Sequence, residues 1–403
     1  MIGSAADAVD RDPIDRALRA ELARVRDDIV RVRRHLHAHP ELAFQEVQTA
    51  TLIAIACEEL GMRVRGGVGG TGVLADVDGA RPGPTVLVRA DMDALPIEEG
   101  DDGRPYRSTV PGVMHACGHD GHVAIALAVG TVLVRLRSWW GGRLRLCFQP
   151  AEEVDEGARR MIADGALDSV DHVVGLHLQA DLPSGSIGIG AGVQWASSDE
   201  LRMTISGAGG HAGDPRSTID PIAAAARVVL EVRRVAEEER RRWPAVVTIA
   251  QIHGGTAPNV LPDAVTLAGT LRATGQDGRS KLLAEVRRAA GHVVTAEGAS
   301  LELSTGAHCP AVVCDPVVTE RLRRALQGAF GAERVLATHP STTADDIGEF
   351  LRAVPGCYFR VGAGDPASEA VPHHHRLFDL DERAMPVAAE ALARAALALL
   401  PRA

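Results

Sequence analysis

The chain has 403 residues, 46% of them apolar and 24% charged, with a formal net charge of −10. That length exceeds what one hydrophobic core usually supports, so two domains are expected of an otherwise ordinary globular composition. The acidic balance argues against a nucleic-acid partner, and no stretch reaches the ~18 consecutive apolar residues of a membrane span.

Met1–Asp15 is acidic and has no apolar core, so no secretory signal is expected there. Six scattered cysteines do not form a disulfide framework, and reduced thiols in a cytoplasmic setting are the simpler expectation. Residues 14–37 carry Ile14, Leu18, Leu22, Val25, Ile29, Val32 and Leu36 at helical spacing. A second helix, over about 46–60, stops at Gly61. Short β-branched runs follow at Gly72–Val77, Thr85–Arg89 and Arg143–Phe148, with a helix over about His122–Arg137 between the last two. Strands alternating with helices imply an α/β layer with a mostly parallel sheet.

The pattern changes near residue 195. Strand Glu200–Ser206, helix Thr218–Arg240, strands Ala245–Ile252 and Val265–Ala273, helix Ser280–Ala296 and strand Ser300–Ser304 make a ferredoxin-like β-α-β-β-α-β unit. This places an inserted domain at 194–307 inside a discontinuous domain of 1–193 and 308–403. The run Arg240-Arg241-Arg242 follows Glu237-Glu238-Glu239 and reads as one solvated helix face. A helix over Pro316–Phe330 and a closing helix over about Met385–Leu400 complete the chain.

The densest chemistry is the octet His115-Ala116-Cys117-Gly118-His119-Asp120-Gly121-His122, whose thiolate and imidazole donors suit zinc-class ions. On an extended segment, Cys117 and His119 would point to one side. Glu152 and Glu153 follow strand Leu144–Phe148, where open α/β sheets place their sites. One of these carboxylates can bind metal while the other takes a proton from water. Val173–His177 reads as an apolar strand ending in a histidine, by itself more often a core residue than a ligand. His373-His374-His375 lies in a loop before the closing helix. Singly, each cluster has an ordinary structural explanation; four together point to a metal site.

The order of these motifs resembles the metallopeptidases of family M20, and within it the amidohydrolase subfamily D, which includes hippurate hydrolases, N-acyl-amino-acid amidohydrolases and plant auxin-conjugate hydrolases. The stretches that carry it are Arg34–His37 with Pro40–Leu42, Arg89–Pro96, the octet, Phe148–Glu153, Gly175–His177, Gly209–His211 and Gly255–Pro262. The resemblance implies metal ligation by Cys117, His119, Glu153, His177 and His374, with Glu152 as general base and Asp93 steadying the ligands from behind. It implies one or two divalent ions, manganese or zinc foremost, with nickel or cobalt as alternatives. In the inserted domain His211 maps to a catalytic histidine and Asn259 to a substrate contact, and the spacing of Arg272 suggests a grip on the substrate carboxylate.

The activity implied is hydrolysis of the amide bond of N-acyl amino acids or similar small amides by metal-activated water. The inserted domain would act as lid and as the interface of a homodimer. Ala344-Asp345-Asp346-Ile347, Asp214-Pro215 and Arg376 depart from the family's usual residues and leave the substrate's identity open. A dipeptidase or carbamoyl-type amidohydrolase is the alternative within the class. A non-catalytic binding protein on the same fold is the alternative outside it, and it would be expected to lack Glu152 or a ligand.

Overall fold

A computed structural model describes residues 12–403 apart from 102, 215, 243, 366, 368 and 369. Most of the N-terminal stretch and Pro215 therefore lie outside the described residues. The chain divides into two compact units. One runs up to Gly192 and takes in Val313–Thr338 and Glu349–Ala403; the other comprises Val193–Val312 with His339–Gly348.

The first unit is built on an eight-stranded mixed sheet in the order Arg63–Val68, Gly72–Asp78, Arg143–Gln149, Thr85–Asp91, His172–Pro183, Gly356–Gly364, Ile187–Ile189, Val335–Ala337. Its central pairings are parallel: Thr85–Asp91 lies between Arg143–Gln149 and His172–Pro183, and the latter pairs in turn with Gly356–Gly364. These strands are buried along most of their length, which explains why apolar residues fall on both of their faces. The large, largely parallel sheet expected from strand–helix alternation is present.

Helix Pro13–Ala38 begins where the Asp12 carboxylate accepts the Ile14 N–H, with proline in the first turn. Its buried stripe is Ile14, Leu18, Leu22, Val25, Ile29 and Leu36, but the same stripe also buries Arg33 and His37. Helix His119–Arg135 is apolar nearly all round because it packs against both the opening helix and the closing helix Met385–Leu399.

The second unit is a four-stranded antiparallel sheet in the order Ala245–His253, Ala264–Ala273, Ser197–Ser206, Ser300–Cys309. Helices Pro221–Glu239 and Gln276–Ala296 supply the rest of its core, where Val228, Val232, Leu282 and Val286 meet Leu201, Met203, Leu267 and Leu271. The Asp220 carboxylate caps the first of these helices through the Ile222 and Ala223 N–H groups. The helix stops at Glu239, which is buried, so the Arg240–Arg242 run lies in the turn beyond it and not on one solvated helix face; Arg242 reaches back to pair with Glu239.

Arg33 is the buried exception that ties the first unit together. Its guanidinium donates to Asp120 at 2.9 Å, Asp379 at 2.6 Å and Glu382 at 3.1 Å, which joins the opening helix to the start of helix His119–Arg135 and to the C-terminal segment. Burial opposes its charge, but Asp120 and Asp379 outweigh that and hold its pKa well above the ordinary arginine value. Arg33→Ala would leave the buried Asp120 and the half-buried Asp379 and Glu382 without their cation and should lower unfolding free energy by ~3–5 kcal/mol in urea titration. A loss below about 1 kcal/mol, the level of a surface pair, would show that the network does not brace the fold.

Candidate metal centre

Asp91 closes strand Thr85–Asp91 and is fully buried, with Asp93 two residues beyond. Cys117 and His119 do not lie on an extended segment, as their spacing suggested. Gly118 has φ +92°, a Cβ there would meet Leu380 at 3.1 Å, and His119 is already the first residue of helix His119–Arg135. Glu152 and Glu153 follow strand Arg143–Gln149 in a short 3₁₀ turn. His177 does not end its strand: pairing with Gly356–Gly364 carries the strand on to Pro183, so His177 stands in its interior opposite Arg360. His374 sits in a loop with φ +64°.

These side chains converge. The His119 Nδ1–H donates to the Asp93 backbone oxygen at 2.9 Å, with the Asp93 carboxylate at 3.2 Å. Its Nε2 is thereby directed at Glu152 Oε2, Glu153 Oε1 and Asp91 Oδ2, each 3.8 Å away. His119 Nε2 and Glu153 Oε1 are buried and have no hydrogen-bond partner among the described residues. The His177 Nδ1–H likewise donates to the Leu178 oxygen at 2.7 Å, leaving Nε2 3.6 Å from the Cys117 sulfur. His374 Nε2 stands 3.4 Å from Glu153 Oε2, and Cys117, Glu153 and His374 offer donors within 4.8 Å of one another.

The donor set fits a divalent ion. Two nitrogen or oxygen ligands ~2.1 Å from a tetrahedral ion lie ~3.4 Å apart, and a thiolate–imidazole pair ~3.6 Å. The Glu153–His374 and Cys117–His177 separations match those spacings. Glu153 faces His119 with one oxygen and His374 with the other, so the donors form two overlapping groups that share one carboxylate.

Three neighbouring histidines are set apart by their surroundings. His122 donates from Nδ1 to Asp91 at 2.6 Å and accepts the Leu178 N–H on Nε2 at 2.9 Å, so both ring nitrogens are engaged although it lies near Asp91 and His119. His115 is buried, and desolvation lowers its pKa to about 4. His373 is also neutralised by burial, to about 4, and accepts the Ala180 N–H, yet it lies within donor range of Cys117 and His177. Sequence reasoning chose His374 from the triplet; the structure brings both it and His373 to Cys117.

Asp91, His122 and Arg89 escaped the sequence analysis as site residues. Arg89 pairs with Asp91 and donates to Gln149 at 2.9 Å, so Asp91 is held between a guanidinium and an imidazole. Burial works against the Asp91 charge, but Arg89, His119 and His122 keep its pKa well below the usual carboxylate range. Its place inside the Arg89–Pro96 motif was the available signal.

In the second unit His211 and Asn259 come together. Gly210–His211 pairs with Val260–Leu261, and the Ala212 N–H donates to the Asn259 oxygen at 3.1 Å. Arg272 lies on strand Ala264–Ala273, with Nη1 3.5 Å from the Thr342 oxygen.

Fold and donors together define an α/β metallohydrolase. The profile of peptidase family M20/M25/M40 matches residues 87–398, and the chain belongs to that family as a metal-dependent hydrolase of the amidohydrolase type. It is 36% identical to the N-acetylcysteine deacetylase of Bacillus subtilis (strain 168), over 92% of this chain and 97% of that one. It is also 36% identical to thermostable carboxypeptidase 1 of Saccharolobus solfataricus, over 95% and 97% of the two chains. The crystal structure of the Bacillus subtilis YXEP protein, described as a dinuclear metal-binding peptidase, superposes with TM-score 0.81 at 33% identity, covering 93% of this chain and 98% of that one. Among the described residues, no helix is long and apolar enough to cross a membrane.

Burial disfavours a charged His119, but Asp91, Asp93 and Glu153 outweigh it and raise its pKa to about 10. In chelator-stripped protein the stabilisation from this proton is complete below the unfolded value of ~6.5 and is lost as pH rises through about 10. Between those limits metal must displace the proton. Titration calorimetry at pH 8 in buffers of different ionisation enthalpy should therefore register proton release on metal uptake. Uptake without release would remove His119 from the ligand set.

Proposed function

We propose that this enzyme hydrolyses the amide bond of N-acyl amino acids, with Cys117, His119, Glu153, His177 and His374 holding one or two divalent ions, manganese or zinc foremost. The observation that carries this reading is the pair of buried, unpartnered donors, His119 Nε2 and Glu153 Oε1, 3.8 Å apart, with a Glu152 carboxylate oxygen also 3.8 Å from His119 Nε2. An ion held there would supply Lewis acidity, acidifying the attacking water and polarising the amide carbonyl.

The remaining steps belong to the chain's own groups. Glu152 takes the proton from the attacking water and delivers it to the departing amine nitrogen. Asp93 keeps His119 in the tautomer that presents Nε2, since it accepts the Nδ1–H. His211 stabilises the negative charge developing on the carbonyl oxygen, while Asn259 and Arg272 grip the substrate, Arg272 through a carboxylate. In this reading the second unit is a lid and the interface of a homodimer.

The names of the two curated relatives support one substrate chemistry. N-acetylcysteine and a peptide with a free C-terminal residue both present an amide next to an amino-acid carboxylate, the group assigned to Arg272. The carboxypeptidase relative therefore favours a dipeptidase-like second reading. A panel of N-acetyl and N-benzoyl amino acids and dipeptides separates the two by relative kcat/KM.

Glu152→Gln should lower kcat by ~10²–10⁴-fold while elemental analysis finds the wild-type metal content. Near-normal turnover would end the general-base assignment. Cys117→Ala should reduce bound metal, and a metal content indifferent to that change would strike Cys117 from the ligands.

A further inference from the structure

The residue before Glu152 adopts a conformation that alanine seldom takes. Ala151 has φ +53° and ψ +41° and is fully buried. Its carbonyl oxygen accepts the Gly157 N–H at 3.2 Å, and Gly157 has no room for a side chain: a Cβ would lie 1.6 Å from the Pro150 oxygen. On the other side, the Ala151 N–H donates to Glu46 Oε1 at 2.9 Å. Just beyond Glu152, the Glu153 N–H donates to Asp93 Oδ2 at 3.0 Å. Glu152 therefore stands between two backbone N–H groups, each clamped by a buried carboxylate.

Glu46 is fully buried at the N-cap position of helix Val47–Glu59, yet its side chain makes no capping bond there. Capping of that helix falls to Glu41, which accepts the Gln48 and Thr49 N–H groups at 3.0 and 2.8 Å. The second oxygen of Glu46 accepts the Thr71 hydroxyl at 2.5 Å. A carboxylate buried at this cost, and not used by its own helix, needs another reason to be there.

We propose that Glu46 is a positioning residue for the reaction: by holding Ala151 in the left-handed conformation it sets the direction in which Glu152 leaves the turn. The inference rests on the reading of Glu152 as general base. Loss of the clamp releases Ala151 toward ordinary backbone geometry and swings the Glu152 carboxylate away from the substrate, without removing any metal donor.

The test is a double-mutant cycle on the metal-loaded enzyme, reading kcat, KM and metal content for Glu46→Ala, Glu46→Gln, Glu152→Gln and the pair Glu46→Ala with Glu152→Gln. Glu46→Ala should lower kcat by ~10–100-fold with KM and metal content little changed. Glu46→Gln should restore kcat, because the amide oxygen still accepts from Ala151 and the amide nitrogen can donate to the Thr71 oxygen. In the Glu152→Gln background, removing Glu46 should cost nothing further, since the two residues act as one unit. If Glu46→Ala precipitates, Glu46→Met, which fills the space without an acceptor, takes its place.

Wild-type kcat in the Ala or Met variant, alongside an inactive Glu152→Gln, would overturn the positioning role and leave the general base standing. An equal loss in both backgrounds would also overturn it, placing the effect elsewhere. An active Glu152→Gln would instead fell the general-base reading itself.

Discussion

Asp91, Asp93, Glu152 and Glu153 surround the His119 imidazole in a place nearly closed to water, and negative charge at that density is stable only beside a cation. Arg89 answers this demand at Asp91, and the raised pKa of His119 expresses what is left of it. A divalent ion meets the same demand with more charge and a defined coordination geometry. The direction of each lone pair follows from the surrounding hydrogen bonds, because Asp93 and the Leu178 oxygen take the Nδ1 protons of His119 and His177.

The scaffold's part is to keep those groups from relaxing apart. Arg33 pairs with Asp120, next to His119 in sequence, and through Asp379 and Glu382 ties that helix start to the C-terminal segment. His37 bridges Asp120 at 2.8 Å and Glu99 at 3.2 Å. On the opposite flank Glu46 and Asp93 grip the turn that carries Glu152 and Glu153. Arg33, His37 and Asp120 at the centre of this network are fully buried and multiply hydrogen-bonded, the circumstance in which removing one partner is costly. The charges that brace the fold are therefore the same ones that hold the candidate metal centre together.

Much of the fold was legible in local pattern. Helix Pro316–Phe330 has the bounds its periodicity suggests, with Asp315 capping and proline in the first turn. Strands Thr85–Asp91 and Arg143–Gln149 extend only one or two residues past the apolar runs that reveal them. Arg63–Val68 went unread because an edge strand of Arg and Gly has neither alternation nor β-branched density. Gly356–Gly364 was also missed, although it lies in the middle of the sheet: its three glycines and an arginine interrupt the apolar run. The start of helix His119–Arg135 was placed late, since a glycine cap and a run of His, Asp and Gly carry little helical propensity.

By itself the sequence determined the kinds of donors available, the order of the motifs and hence the family, because those depend on residue identity and short-range spacing. Which histidines meet the carboxylates was decided by the tertiary structure. His115, His119 and His122 share one octet, yet a helix start and the Asp91 side chain send each to a different environment. The parallel order of the central strands, set by non-local pairing, brings Asp91, Glu152, Glu153 and His177 to one place. Local periodicity reports which face of a strand is buried; it carries no information about which strand lies alongside, and the candidate metal centre is made of that adjacency.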